Sequence, residues 1–294
     1  MTKKHVAVIG ANGQLGSDIV KILSQKSNFT ISALTHAHID ITSMNSIDRA
    51  LGNQGVDVVI NTAAYHKVDE IEQFPQKAIE VNAIGSRNLA LFCDRYKQIL
   101  VFISTDYVFG RDNTRAIPYS ELELPEPVNT YGISKLAGEH FVRLFCSKYV
   151  ICRTSGLFGA QGSSGKGGNF VETMIQKARS GEIINVVNDQ ILSPTSTANV
   201  ANQLAKLLSS DARGLYHITS EGECSWYEFA QQIFLYLNKH VRIKPVPSSD
   251  MPTRAKRPRY SVLAKNHLNR EGINSMYHWK DALRYYLQEK GYIP

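Results

Sequence analysis

Near its start the chain carries the feature that most limits what it can fold into. An apolar run, His5–Ile9, passes directly into Gly10-Ala-Asn-Gly13-Gln-Leu-Gly16 and then into a helical pattern over Gly16–Gln25. A strand that turns through closely spaced glycines into a helix gathers free backbone N–H groups and the positive end of the helix dipole at one point, an arrangement suited to a pyrophosphate. The spacing is G-x-x-G-x-x-G and not G-x-G-x-x-G, so the glycines alone would suit a structural turn equally well. Their place in the chain decides between the two. Short β-branched runs recur at Thr30–Leu34, Asp57–Asn61, Ile99–Ser104 and Tyr149–Arg153, separated by helical patterns at Ser43–Gly52, Pro75–Tyr96 and Tyr131–Ser147. Strands alternating with helices at this spacing pair in parallel and are covered on both faces.

The expected fold class is therefore α/β, a Rossmann-type doubly wound parallel sheet, with a smaller C-terminal substrate-binding lobe. We place the dinucleotide-binding domain at 1–155 and the lobe mainly at 156–294, with segments around 183–218 returning to the first sheet. The second half is less regular. It reads as helices at Phe170–Ser180, Ala198–Leu208, Tyr227–Leu237 and Met276–Lys290, and strands at Ile183–Val187, Leu215–Ile218 and Val241–Val246. Ligands of such sheets bind beyond the carboxyl ends of the strands. Gly10–Gly16, Thr35–Asp40, Ala63–Asp69 and Thr105–Phe109 each follow a strand and should surround one crevice.

The second strand ends in Leu34-Thr35-His36, without the carboxylate that would hold a ribose and repel a 2′-phosphate. NADPH is thus tolerated as well as NADH. His36 and His38 read as exposed loop residues, since no third ligand accompanies them for a metal. Tyr131 and Lys135 open a helix four residues apart, so they project from one face. An ammonium beside a phenol favours the phenolate and should lower the tyrosine pKa toward working pH. A Tyr-x-x-x-Lys pair by itself most often reflects surface packing. Here Ser104-Thr105-Asp106, just after the fourth strand, brings a hydroxyl into the same crevice.

These residues together resemble the extended short-chain dehydrogenase/reductase superfamily, and within it the dTDP-4-dehydrorhamnose reductase family. The resemblance is carried by Asn12-Gly-Gln-Leu-Gly16, Asn61-Thr-Ala-Ala-Tyr65, Val68-Asp69, Ser104-Thr-Asp-Tyr-Val-Phe109 and Pro127-Val-Asn-Thr-Tyr131. Further along it is carried by Lys135-Leu-Ala-Gly-Glu139, Arg153-Thr-Ser155, Asn188-Asp-Gln190, Pro194-Thr195, Arg257-Pro258 and Ser261, and it runs to about Leu268. It implies reduction of the 4-keto group of a nucleotide-activated 6-deoxysugar by hydride from nicotinamide C4. Tyr131 would donate the proton, Thr105 would bind the oxygen, and Lys135 would tune Tyr131 and hold the nicotinamide ribose. Cofactor contacts would fall on Gly10, Asn12, Gly13, Gln14, Leu15 and Gly16, then on Asp40, Ile41, Ala63, Ala64 and Tyr65, and on Tyr131 and Lys135. Substrate contacts would come from Thr105, Asp106, Tyr131 and Arg257. Asn82 resembles the superfamily's positioning asparagine; an ordinary polar residue of a helix is the competing view.

One departure stands out. The family has a tryptophan after Arg153-Thr-Ser, and this chain has Gly156. An aromatic contact of about 1–3 kcal/mol goes with it unless Phe158 or Tyr107 compensates. The departure would suit a related sugar-nucleotide reductase or epimerase acting on another sugar. The regulatory β subunit of methionine adenosyltransferase, a non-catalytic partner, also resembles this family. The family's interfacial magnesium ligands are not evident, Ser17 following the last glycine, so no metal is expected; a homodimer remains open.

The remaining features exclude more than they assign. No run of apolar residues reaches the roughly 18 a spanning helix needs, and no leader precedes Val6–Ile9, so a cytoplasmic protein without membrane partners is expected. Four scattered cysteines show no zinc or disulfide spacing. The formal charge is +7, and Arg254, Lys256, Arg257 and Arg259 supply four of those charges within Thr253–Arg259, a stretch with no acid. A surplus that local suits a sugar-nucleotide diphosphate better than a nucleic acid. Gly162–Gly168 lacks the first glycine and the Ser/Thr of a phosphate-binding P-loop and reads as a loop near the substrate. The aromatics around Trp226 and Trp279 read as core packing.

Overall fold

The structure, a computed structural model, describes residues 3–161, 168–251 and 253–294. Six parallel strands form the central sheet: β1 (Lys4–Ile9), β2 (Phe29–Leu34), β3 (Val58–Asn61), β4 (Ile99–Thr105), β5 (Tyr149–Thr154) and, much later, Gly214–His217. Their spatial order is Gly214–His217, β5, β4, β3, β1, β2. The chain steps from β1 to β2 on one side and then returns to β3 on the other, so a switch point opens beside β1. All seven residues of β4 and all four of β3 are buried. Strands buried along their whole length, here mostly Val, Ile and Leu, arise where helices cover both faces.

One face packs Leu15, Ile19 and Leu23 of α1 (Gln14–Ser24) and Val200, Leu204 and Leu208 of helix Thr197–Ser209 against Val6, Val8, Val101 and Cys152. The other packs Ile47 and Leu51, Leu89 and Phe92, and Val142 of three more helices against Ala7, Ile9, Val59, Phe102 and Ile151. The two cores make the sheet doubly wound.

A third core, with Phe158, Val171, Met174, Phe229, Ile233, Trp279 and Leu283, belongs to the smaller lobe. The segment around 183–218 is divided. Gly214–His217 joins β5, and helix Thr197–Ser209 packs on α1, but Ile184–Val187 pairs with Ile243–Val246 in the lobe. Leu268 and Met276 also lie in the first core, so the C-terminal half crosses between the two more often than the sequence pattern suggested. The short strands Leu157–Phe158, Ile191–Leu192, Thr195–Ser196 and Cys224–Ser225 are too brief for periodicity to show.

The helical pattern at Pro75–Tyr96 is interrupted. It runs as α over Pro75–Ala78, π over Ile79–Ile84 and α again over Gly85–Arg95. A π turn inserts an extra residue and re-aims the side chains within it, and Asn82 sits there. Among the described residues no helix is long and apolar enough to cross a membrane. All four cysteines are buried and free.

Candidate active site

A cleft of about 770 Å³ opens at the carboxyl ends of the sheet strands. Its first wall is the turn into α1. Gly10 has φ +79°, and a Cβ on Gly16 would stand 2.1 Å from the Gly10 carbonyl oxygen, so the loop closes this tightly only with glycine at both positions. Gly13 caps α1 with no side-chain hydrogen bond, which leaves the helix start open to a ligand. Gln14 Nε2 donates to Leu157 O at 3.1 Å, whereas its buried Oε1 has no partner among the described residues. The cradle and the orphaned acceptor fit a dinucleotide. Asn12, Gly13, Gln14, Leu15 and the two outer glycines all line the cleft.

Asp40, Ile41, Ala63, Ala64 and Tyr65 line the cleft as well. Asp40 Oδ1 accepts from Thr42 N at 2.9 Å and Thr42 Oγ1 at 2.8 Å, which holds its carboxyl below the usual range. His38 is tied to Thr35 N at 3.1 Å, while His36 reaches the cleft. Asn82 clamps the loop after β3: its Oδ1 accepts from Tyr65 N and its Nδ2 donates to Tyr65 O, both at 2.8 Å. The same Nδ2 donates to Ser134 Oγ at 2.9 Å, joining that loop to the helix that carries Tyr131 and Lys135.

That helix, Thr130–Phe145, is capped by Asn129, whose Oδ1 accepts from Gly132 N at 2.8 Å. A Cβ at Gly132 would lie 2.1 Å from Tyr107 O, so the residue after Tyr131 must be small for the helix to approach β4. The approach brings Thr105, Tyr131 and Lys135 into one wall of the cleft. The pKa of Tyr131 is pushed upward, first by burial and then by the Asp106 carboxylate, with a hydrogen bond from Thr105 opposing. Burial brings the Lys135 ammonium down to about 7, with Glu139 one turn along the helix holding it up. Its Nζ lies 4.2 Å from the centre of the Phe102 ring. The expectation that Lys135 draws the Tyr131 phenol toward neutral pH is thus corrected. Desolvation dominates, and the phenol is held protonated.

Asp106 is the cleft's buried carboxylate. Its Oδ2 accepts from Ser155 Oγ at 2.8 Å and Ser261 Oγ at 2.6 Å, and its Oδ1 from Thr105 Oγ1 at 3.1 Å. Desolvation nevertheless outweighs these three bonds and raises its pKa from 3.8 to about 6. Between those values the native protein holds a proton that the unfolded chain has lost. Stability therefore falls as pH rises through that window, and the loss is complete above about pH 6. Asp106→Asn is expected to remove a slope of up to about 1.4 kcal/mol per pH unit there. Urea unfolding at pH 5 and 7 measures it; an unchanged difference between the two pH values refutes the raised pKa.

Behind the site lies a second polar assembly. Arg153 donates to Glu139 Oε1 from Nε at 2.9 Å and to Oε2 from Nη2 at 2.7 Å, with both side chains 1% exposed. Ser104 Oγ donates to Glu139 Oε1 at 2.6 Å. His217, held neutral by burial and by Arg153, meets Ala264 O through Nδ1 at 2.8 Å, leaving Nε2 to accept from Arg153 Nη1 at 3.4 Å. The helix that carries Tyr131 and Lys135 is thereby joined to three adjacent strands.

The structure does not bring Arg257 into the wall of the cleft. Its Nη2 lies 2.6 Å from Asp69 Oδ2 and its Nη1 3.3 Å from Asp69 Oδ1, and Asp69 also accepts from the Arg254 and Ala255 backbone at 3.1 Å. An acid remote in sequence thus pairs with one of the four cations of the basic segment, and the Arg257 charge bears on the phenol of Tyr107, which lines the cleft. Gly156 has φ +50°, and a Cβ there would meet Leu192 Cδ1 at 2.7 Å. Neither Phe158 nor Tyr107 fills the space beside it: Phe158 is buried in the lobe core, and Tyr107 stands edge-on to Tyr131 at 6.0 Å. The nearby ring is Trp226, which lines the cleft and was missed because its helical spacing matched core packing. Gly162–Lys166 and Gly167 lie outside the described residues; Gly168 lines the cleft. Among the described residues no cluster of His, Cys, Asp and Glu could hold a metal.

Residues 4–291 match the family described as RmlD substrate binding domain. The spore coat polysaccharide biosynthesis protein SpsK of Bacillus subtilis is 39% identical over 99% of this chain and 98% of its own. A dTDP-4-keto-6-deoxy-D-glucose reductase of Streptomyces niveus is 36% identical over 94% of each chain. The solved dTDP-4-dehydrorhamnose reductase of Bacillus anthracis, in complex with NADP, superposes with TM-score 0.92 at 39% identity, covering 98% of this chain and 100% of that one. The UDP-glucose 4-epimerase of Thermus thermophilus, at 22% identity and TM-score 0.84, shares the fold.

Proposed function

The chain belongs to the dTDP-4-dehydrorhamnose reductase family, and from that premise we propose that it reduces the 4-keto group of a nucleotide-activated 6-deoxysugar with NADPH or NADH, in the making of a cell-surface polysaccharide precursor. The observation that carries this reading is the meeting of Thr105, Tyr131 and Lys135 with the glycine turn in one cleft. The open start of α1, with Gly10, Gly13 and Gly16, would hold the cofactor pyrophosphate. Asp40 and Ile41 would meet the adenosine, and the loop pinned by Asn82 the nicotinamide half. A bound nicotinamide supplies hydride.

The chain's own residues supply the rest. Tyr131, kept protonated by burial, gives its proton to the oxygen that gains charge as the carbonyl is reduced. Thr105 turns its hydroxyl from Asp106 to the same oxygen, and a donor held that close acts where charge develops. Lys135 holds the nicotinamide ribose and, as a cation, steadies the phenolate left behind. Asp106 keeps Thr105 oriented and meets the sugar. Arg257, bound to Asp69, acts on the substrate through Tyr107. The same reading puts the work in the cytoplasm and leaves room for a homodimer.

Purified protein with NADPH and a dTDP-4-dehydro-6-deoxyhexose is expected to oxidise one NADPH for each dTDP-6-deoxyhexose formed. Absence of cofactor oxidation with any 4-keto sugar nucleotide, together with tight binding to a methionine adenosyltransferase, would replace catalysis with a regulatory role.

A further inference from the structure

Two half-buried aromatic rings, Phe170 and Trp226, line the catalytic cleft from the lobe side, with centroids 4.6 Å apart and planes tilted by 41°. A half-exposed tryptophan beside reacting groups leaves apolar area in contact with water, and apolar ligand surface recovers it. The indole is held firmly. Trp226 is the first residue of its helix, directly after Ser225, whose hydroxyl accepts from Glu228 N at 3.1 Å while Glu228 accepts from Ser225 N at 2.7 Å. On the other side Cys224–Ser225 pairs with Ile191–Leu192, and Leu192 shares the cleft wall.

The ring also lies close to the chemistry. Its Cζ-side edge, at Cη2, is 3.7 Å from where a Gly156 Cβ would be, and Gly156 follows Ser155, the partner of Asp106. Gly156 presents no side chain, and its left-handed φ, with Leu192 Cδ1 2.7 Å from where a Cβ would stand, disfavours one. The indole is thus an aromatic surface beside Gly156, in the cleft that Thr105 and Tyr131 also line. Sugars offer a C–H face that is apolar, and a 6-deoxyhexose carries a methyl group in place of a hydroxymethyl group. We propose that Trp226, backed by Phe170, is the platform for the hexose ring and so determines which sugar is accepted. The inference rests on the reductase reading above and goes further by placing the sugar, and not the base, on the indole.

Two measurements test it. Trp226→Ala is expected to raise KM for the dTDP-4-keto sugar about tenfold with KM for NADPH unchanged, and Trp226→Phe to recover most of that loss. The chain has two tryptophans, and the other, Trp279, is 4% exposed in the lobe core, so indole fluorescence of a Trp279→Phe variant reports Trp226. That emission should change on adding dTDP-rhamnose and stay constant on adding dTDP alone. A response to dTDP alone would put the base on the ring and overturn the proposal, as would an unaltered sugar KM in Trp226→Ala. No turnover by the unmodified protein would instead overturn the reductase reading, and this inference with it.

Discussion

Tyr131→Phe is expected to lower kcat by about 10²–10⁴-fold while leaving KM for NADPH within about twofold. The substitution removes one oxygen and keeps the ring, so the edge-on contact with Tyr107 at 6.0 Å and the packing of the helix behind it persist. What is lost is the proton donor. Burial and the neighbouring Asp106 keep the phenol protonated across the physiological range, so the loss should be nearly constant from pH 6 to 8 in place of a titrating effect. Steady-state kinetics at several pH values measure it, with thermal melting as the check on folding. The competing donor is Tyr107, also in the cleft and pushed up to about 12 by its burial. Retained kcat in Tyr131→Phe and a large loss in Tyr107→Phe would reassign the proton.

Much of this was legible in the sequence because it is local. Gly10–Gly16 after β1, the apolar run Ile99–Ile103 and the four-residue step from Tyr131 to Lys135 each fix a backbone path or a shared face within a few residues. Chain order then carries them to the same end of the sheet. The remainder depends on separations that no local pattern encodes. Asp69 neutralises Arg257 across 188 residues, and an isolated count of charges near Arg257 could not reveal it. Asn82 acts through a π turn, whose extra residue breaks the 3.6-residue period that makes helices readable. Trp226 shows the converse failure: helical spacing of aromatics describes core and cleft equally, and only the missing side chain at Gly156 opens one edge of the ring to the site. Lys135 was placed correctly on its helix, but its charge state follows from desolvation, which a sequence does not display.

Glu139 offers the sharpest separation between holding the fold and setting the chemistry. Its carboxylate balances Arg153, and each of the two is 1% exposed. Glu139→Gln leaves the guanidinium buried without a counter-charge, and is expected to cost about 3–5 kcal/mol of stability in urea unfolding. Arg143, at 3.9 Å from the same carboxylate but 41% exposed, can turn to water, so the loss of its partner adds little to this. A paired change, Glu139→Leu with Arg153→Met, removes both charges and should recover most of the stability, because well-packed apolar groups replace a buried ion pair at small net cost. Lys135 responds differently. It sits one helical turn from Glu139, whose charge opposes the desolvation that brings the ammonium to about 7. Both the single and the paired variant lose that support, so the Lys135 pKa falls and the alkaline limb of the kcat/KM profile moves to lower pH in each. Stability restored in the paired variant with the limb still displaced assigns Glu139 an electrostatic role in addition to its structural one. A limb that returns to its original pH along with the stability would leave it with the structural role alone.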